Sequence, residues 1–239
     1  MSDKDSHDTH SATHRRSRPQ GRTGFTGLGL CRELQAAVLF WQPTDRALVM
    51  PRRLSRLPGF AQASVELAAS GWPILLRETG GEPVPQSAST VNIALVYAPL
   101  PSEGDHGRIE MAYRRLCEPI CDLLTELGGT ASLGEVEGAF CDGRFNVNLN
   151  ARKLVGTAQR WRQSKGGQRP VGLVHGALLV DNERESMVAA VNRFNVLCDL
   201  EQRCLADSHI ALHEAFAAPD FFERLSARYQ QILAPLLKG

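Results

Sequence analysis

What this chain has little of narrows its class before any motif is considered. No stretch is long and apolar enough to cross a bilayer, so no membrane span is expected. The first 24 residues, MSDKDSHDTHSATHRRSRPQGRTG, hold no apolar core of the kind a secretory signal needs, and their aspartates argue against a transit peptide. They also lack apolar periodicity, and a disordered polar leader is expected over 1–24. Aromatic residues make up only 6% and the formal net charge is +1, a poor match to a nucleic-acid binder that tracks phosphates and stacks bases. Six cysteines in 239 residues are too sparse for a disulfide scaffold and imply reduced thiols. Cys117 and Cys121 lie four apart on an expected helix without a matching second pair, so core packing accounts for them better than zinc, and no metal site is expected. A soluble, cytoplasmic protein follows as the expectation, with no nucleic-acid or membrane partner.

What is present suffices for one domain over 25–239, since 43% of the residues are hydrophobic. Two short apolar runs between Ala36 and Pro51 flank a Pro-Thr-Asp turn and predict a strand on either side. An Ala-rich helix over 61–70 stops at Gly71, a strand follows over 72–77, and Gly80-Gly81 marks a turn whose bare backbone could approach a ligand. Ile109, Ala112, Leu116, Ile120 and Leu127 recur at helical spacing over 108–127, where Pro119 is a candidate kink, until Gly128-Gly129. FNVNLN alternates apolar and polar residues, turns at Asn150-Ala151 and runs into KLVGTAQRW, the pattern of a hairpin, and VGLVHGALLVD predicts a third strand. Helical spacing returns over 183–200, over 208–216 with Asp207 or Ser208 as N-cap, and over 221–237. His209 and His213 stand four apart on the second of these, which reads as an exposed helix face. The order of elements predicts an α+β fold with a mixed, largely antiparallel sheet flanked by helices.

Positive charge is concentrated locally. Arg152, Lys153, Arg160, Arg162, Lys165 and Arg169 lie between 152 and 169 without an acid among them. Such a hairpin could hold the phosphates of a nucleotide or of an acyl carrier, a nucleic-acid backbone, or water alone.

The order of the motifs goes further. Ala151-Arg152-Lys153-Leu154-Val155-Gly156-Thr157-Ala158-Gln159-Arg160, a short loop, then His175-Gly176-Ala177-Leu178-Leu179 resembles the catalytic core of the lipoate-protein ligase and octanoyltransferase family, part of the biotin/lipoate ligase group. Ala151 stands where a Gly is usual. Arg77-Glu78-Thr79-Gly80-Gly81 followed by Asn92 and a strand is similar to another segment of that family, although residues 82–87 depart from its pattern. The resemblance implies a catalytic domain of that fold; many ligases of the family carry a small accessory domain after it, and from the length of this chain none is expected here. Lys153 is then the central catalytic cation, with Arg77, Gly80, Gly81, Asn92, Gly156, Thr157, Ala158, His175 and Gly176 at the substrate.

The chemistry it implies is attachment of a lipoyl or octanoyl group to a lysine of a carrier domain. Acceptors would be lipoyl domains of 2-oxoacid dehydrogenase complexes or the glycine cleavage H protein. A free carboxylate is a poor electrophile, and there are two ways to activate it. A ligase uses ATP and Mg2+ to make an acyl-adenylate. A transferase takes the acyl group from a carrier such as acyl carrier protein, without a cofactor, and passes it through its own cysteine, for which Cys141 is the candidate. Arg144 and Lys153 could favour the thiolate there. Asp142 to Val147 resembles a ligase segment, and the spacing from Cys141 to Lys153 is short for the transferase branch, which puts the ligase slightly ahead. A catalytically silent relative that binds lipoate or a lipoyl domain is the third reading.

Overall fold

The computed structural model describes residues 36–100, 103, 107–163 and 169–237; the expected leader, Cys31 and the middle of the 164–169 loop, Lys165 included, lie outside the described residues. Six strands form one fully antiparallel sheet: β1 (Ala36–Trp41), β5 (Thr90–Tyr97), β9 (Pro170–Leu179), β8 (Arg152–Gln163), β7 (Val147–Leu149) and β6 (Ala131–Leu133), in that spatial order. Three others make a small mixed sheet, in which β2 (Ala47–Pro51) pairs in parallel with β3 (Ile74–Arg77) and antiparallel with β4 (Val84–Gln86). The parallel pair is joined through helix α1 (Phe60–Ala69), as a parallel connection requires a crossover. The two strands around the Pro-Thr-Asp turn therefore end up in different sheets. The divergent segment 82–87 supplies β4.

Asn150 and Ala151 both take positive φ, 52° and 61°, and close β7 onto β8 as a two-residue hairpin of the primed type, whose twist suits the flanking strands. β8 then pairs with β9 from Val155↔Leu178 to Gln163↔Pro170.

Each sheet has its own core. Helix α2 (Arg108–Glu126) sets Leu116, Ile120 and Leu123 against Ile93, Leu95, Val155 and Leu178, and α5 (Phe221–Leu233) adds Phe221, Leu225 and Tyr229. Pro119 lies inside an uninterrupted α2, and the Tyr229 hydroxyl donates to the Leu116 carbonyl one turn earlier at 2.5 Å. Cys117 is buried in this core. The second core joins Leu48 and Met50 of β2 to Ala63 and Leu67 of α1 and to Met187, Val191 and Phe194 of α3 (Arg184–Leu197). Among the described residues no helix is long and apolar enough to cross a membrane.

The expected helix over 208–216 is not formed as one piece. A 3-10 turn covers Ala206–Ser208, His209 and Ala211 are extended, and α4 is only Leu212–Ala215. His209 makes a parallel bridge with Lys153, with Ile210 N–H donating to the Lys153 carbonyl at 3.0 Å. Pairing with β8 won over the local helical pattern. His209 is buried at 2% exposure, which corrects the exposed-face reading, while His213 is at the surface and pairs with Asp181.

Candidate functional site

A cavity of about 670 Å³ separates the two sheets. Its floor comes from neighbouring positions on three strands of the large sheet. Asn92, Ala177 and Gly156 form one cross-strand row, and Ala94, His175 and Ala158 form the next. Four of these six residues are Ala or Gly, so the floor is recessed because side chains are short. The small sheet faces it with Val49, Arg77, Val84 and Gln86, and Trp41, Leu173, Arg160 and Arg162 extend the lining. A largely apolar ligand with a polar end fits such a lining.

Two polar side chains on the floor are anchored to the opposite wall. Asn92 Nδ2 donates to Gln86 Oε1 at 2.6 Å, and His175 Nε2 lies 3.3 Å from Thr79 Oγ1. Burial, and then the charge of Arg77, lowers His175 to about 4, so its ring is neutral near pH 7. Thr157 Oγ1 donates to the Phe145 carbonyl at 2.9 Å.

Cys141 reaches the cavity from the loop before β7. Its φ of 48° is rare for a side-chain-bearing residue outside Asn and Asp, and such departures collect at functional sites. The Glu82 N–H donates to its Sγ at 3.2 Å. Gly81, at φ 98°, makes room for this approach: a Cβ there would stand 3.1 Å from the Cys141 sulfur and 3.0 Å from an Arg77 nitrogen. Arg77 itself donates to the carbonyls of Val49, Gly80 and Glu82 at 2.8 to 2.9 Å, while its buried Nε has no partner. Burial lowers Arg77 below its ordinary value, partly offset by Cys141 and Glu82.

Lys153 lies behind this wall. Its Nζ donates to the carbonyls of Phe140 and Cys141, at 2.5 and 2.7 Å, and it is 2% exposed. Burial pulls its pKa from 10.5 to about 8, with Cys141, Asp142 and Cys204 opposing the fall. Arg144 turns outward, pairing with Glu110 and lying over the Phe145 ring, so the cations that interact with Cys141 are Arg77 and Lys153.

Of the residues expected from the sequence, Arg77, Asn92, Cys141, Gly156, Thr157, Ala158 and His175 meet at the cavity. Lys153 touches its wall from behind, and Gly80 and Gly81 shape the turn that holds Arg77. Gly176 faces away: a Cβ there would meet Val155 and Leu116 at 2.9 and 3.6 Å. Sequence reasoning missed Gln86, Val49, Val84, Ala94, Ala177 and His209. Alternating small residues on β5, β8 and β9 were a usable signal for the floor; nothing local marked His209.

The two-sheet fold is the one seen in solved lipoate-protein ligases. Solved structures with this fold include a lipoate-protein ligase A bound with ATP, at TM-score 0.62 and 17% identity over 83% of this chain and 73% of that one. A bi-partite lipoate protein ligase of Thermoplasma acidophilum aligns at TM-score 0.57 and 18% identity, over 83% and 71%. At the level of sequence, residues 30–217 match the model of the lipoyl protein ligase A/B catalytic domain, and the chain belongs to that family. An uncharacterised protein of Cupriavidus necator is 35% identical over 194 residues, 77% of this chain and 75% of that protein. An octanoyl-[GcvH]:protein N-octanoyltransferase of Kyrpidia tusciae is 34% identical over 147 residues, 60% of this chain and 50% of its own length. The matched stretch thus spans half of that transferase.

Proposed function

We propose that this protein transfers an octanoyl or lipoyl group from a carrier to a lysine of a lipoyl domain through a thioester on Cys141. The observation that carries this reading is the placement of Cys141 in the wall of an acyl-sized cavity, on a backbone conformation its side chain does not favour, between Arg77 and Lys153. The sequence put an ATP-dependent ligase slightly ahead; the geometry favours the transferase. Relatives named octanoyl-[GcvH]:protein N-octanoyltransferase support transfer over ligation.

The steps balance with residues of this chain. The acyl chain lies over the alanine floor with its carbonyl carbon at Cys141. The sulfur attacks, the carbonyl electron pair moves onto oxygen, and collapse breaks the donor's acyl–sulfur bond while the departing carrier thiol takes the proton Cys141 gives up. The Arg77 guanidinium and the Glu82 N–H stand beside the sulfur, facing the negative charge it carries as the attacking and, later, the leaving thiolate. The acceptor's lysine amine then attacks the thioester, a carbon–nitrogen bond forms, and the Cys141 sulfur leaves and recovers a proton from that amine. Neutral His175 contributes a hydrogen-bonding edge to the floor.

Arg160 and Arg162 in the same lining sustain the second reading, a ligase whose nucleotide phosphates meet these guanidiniums. Against it, Arg160 already pairs with Glu78. Intact mass of an apo lipoyl domain separates the two readings, with octanoyl-carrier protein in one tube and lipoate, ATP and Mg2+ in the other. We expect modification from the octanoyl donor alone, an octanoyl adduct on Cys141, and loss of transfer in Cys141→Ser. Modification only with ATP, unaffected by Cys141→Ser, would overturn the proposal.

A further inference from the structure

Resting on that reading for its meaning, we propose that His209 is the positioning residue of the nucleophile's turn: its imidazole takes the Phe140 N–H and so fixes the direction in which Cys141 leaves the chain. The Phe140 amide is buried and immediately precedes the residue with φ 48°, where no strand or helix supplies a backbone partner. His209 Nε2 accepts it at 3.2 Å. The other ring nitrogen, Nδ1, lies 3.0 Å from the Leu205 carbonyl, which can only accept, so Nδ1 carries the proton and Nε2 keeps its lone pair.

Several further contacts hold the same loop on the same partner. The His209 and Phe140 rings stack with centroids 4.2 Å apart at 21°, and Lys153 Nζ lies 5.3 Å from the Phe140 ring centre. Leu205 N–H donates to the Gly138 carbonyl at 2.8 Å and Ser208 Oγ to the Glu137 carbonyl at 2.6 Å. Lys153 holds the carbonyls of Phe140 and Cys141 while His209 holds the amide, and the bridge between β8 and residues 209–210 locks the two holders to each other. Every backbone polar group known to bond on Phe140 is thus taken by one of these two side chains. Burial first, and the charge of Lys153 second, lowers His209 to about 4, which keeps the accepting lone pair free at neutral pH.

The test compares His209→Gln, whose side-chain oxygen can still accept the amide, with His209→Phe, which keeps the ring and its stacking but offers no acceptor. Acylation of Cys141 by octanoyl-carrier protein is followed in single turnover by intact mass. We expect His209→Phe to acylate at least about tenfold more slowly at an unchanged half-saturating donor concentration, and His209→Gln to stay within about threefold of wild type. Iodoacetamide, which needs no acyl pocket, should label Cys141 faster in His209→Phe than in His209→Gln, because the turn is released. In the wild-type chain, 15N ring shifts should report the Nδ1–H tautomer at pH 7. Equal impairment of both variants, wild-type acylation in His209→Phe, or a protonated Nε2 would each overturn the proposal; should His209→Phe fail to fold, the ring shifts and the Gln variant decide. If the wild type forms no acyl-enzyme at all, the transferase reading fails, while the labelling and tautomer results still decide the role of His209 in the turn.

Discussion

Taking a lysine ammonium out of water and giving it two carbonyl oxygens leaves it short of full solvation, and Lys153 shows the result. Its pKa falls from 10.5 to about 8, so in the folded protein it loses its proton before it would in the unfolded chain. Between those values the unfolded state binds more protons, and stability contributed by Lys153 grows as pH rises, complete above the unfolded pKa and lost as pH falls through about 8. A shift of this size corresponds to about 3 kcal/mol. We expect urea unfolding of wild type and Lys153→Met to show a stability gap that moves toward wild type between pH 8 and 10.5. A gap that is flat across this range would contradict the burial of a charged ammonium. Neither the charge run around Lys153 nor the motif it sits in indicated that the side chain turns inward to hold the Phe140 and Cys141 carbonyls. Its partners lie 12 and 13 residues away along the chain, on a loop whose path depends on long-range packing.

Among the elements, the β7–β8 hairpin was legible because its information is local: alternation in FNVNLN, a turn dipeptide, then a second run. That turn contains a mild misfit. Ala151 sits at φ 61°, where its Cβ crowds the backbone, in the place where the family resemblance has Gly. Ala151→Gly should stabilise the protein by about 1 kcal/mol, offset in part by the greater freedom of Gly in the unfolded chain. Thermal denaturation checks it, with a rise of about 2–4 °C expected for a chain of this size. Residues 208–216 illustrate the opposite case. Their helical spacing was genuine, yet pairing of Ile210 with the Lys153 carbonyl, and burial of His209 against Phe140, drew 209–211 into extended backbone. Those gains come from residues about 60 to 70 positions distant in sequence, such as Lys153 and Phe140, and no window over 208–216 contains them.

At the scale of the molecule, the α+β class and most strands were legible in the residues, but not their division between two sheets with separate cores. Pairing partners such as β2 with β3, joined through α1, have no signature in either strand alone. That division places the cavity at a seam, with Asn92 to Gln86 and His175 to Thr79 as ties across it. The recessed floor has a consequence for inheritance of specificity. Its depth derives from methyl and hydrogen side chains at Ala94, Ala158, Ala177 and Gly156, so one nucleotide change or a few can shorten the space above it while Cys141 and Arg77 stay where they are. Under the acyl transfer proposed above, Ala177→Leu should therefore move donor preference from octanoyl toward butanoyl or hexanoyl by about 10- to 100-fold, since each methylene lost from apolar contact is worth about 0.8 kcal/mol. Competition between donors of different length, read by product mass, measures the shift. Under that proposal, chain-length preference and the chemistry at Cys141 are separately heritable, and a descendant of this chain can change the first while keeping the second.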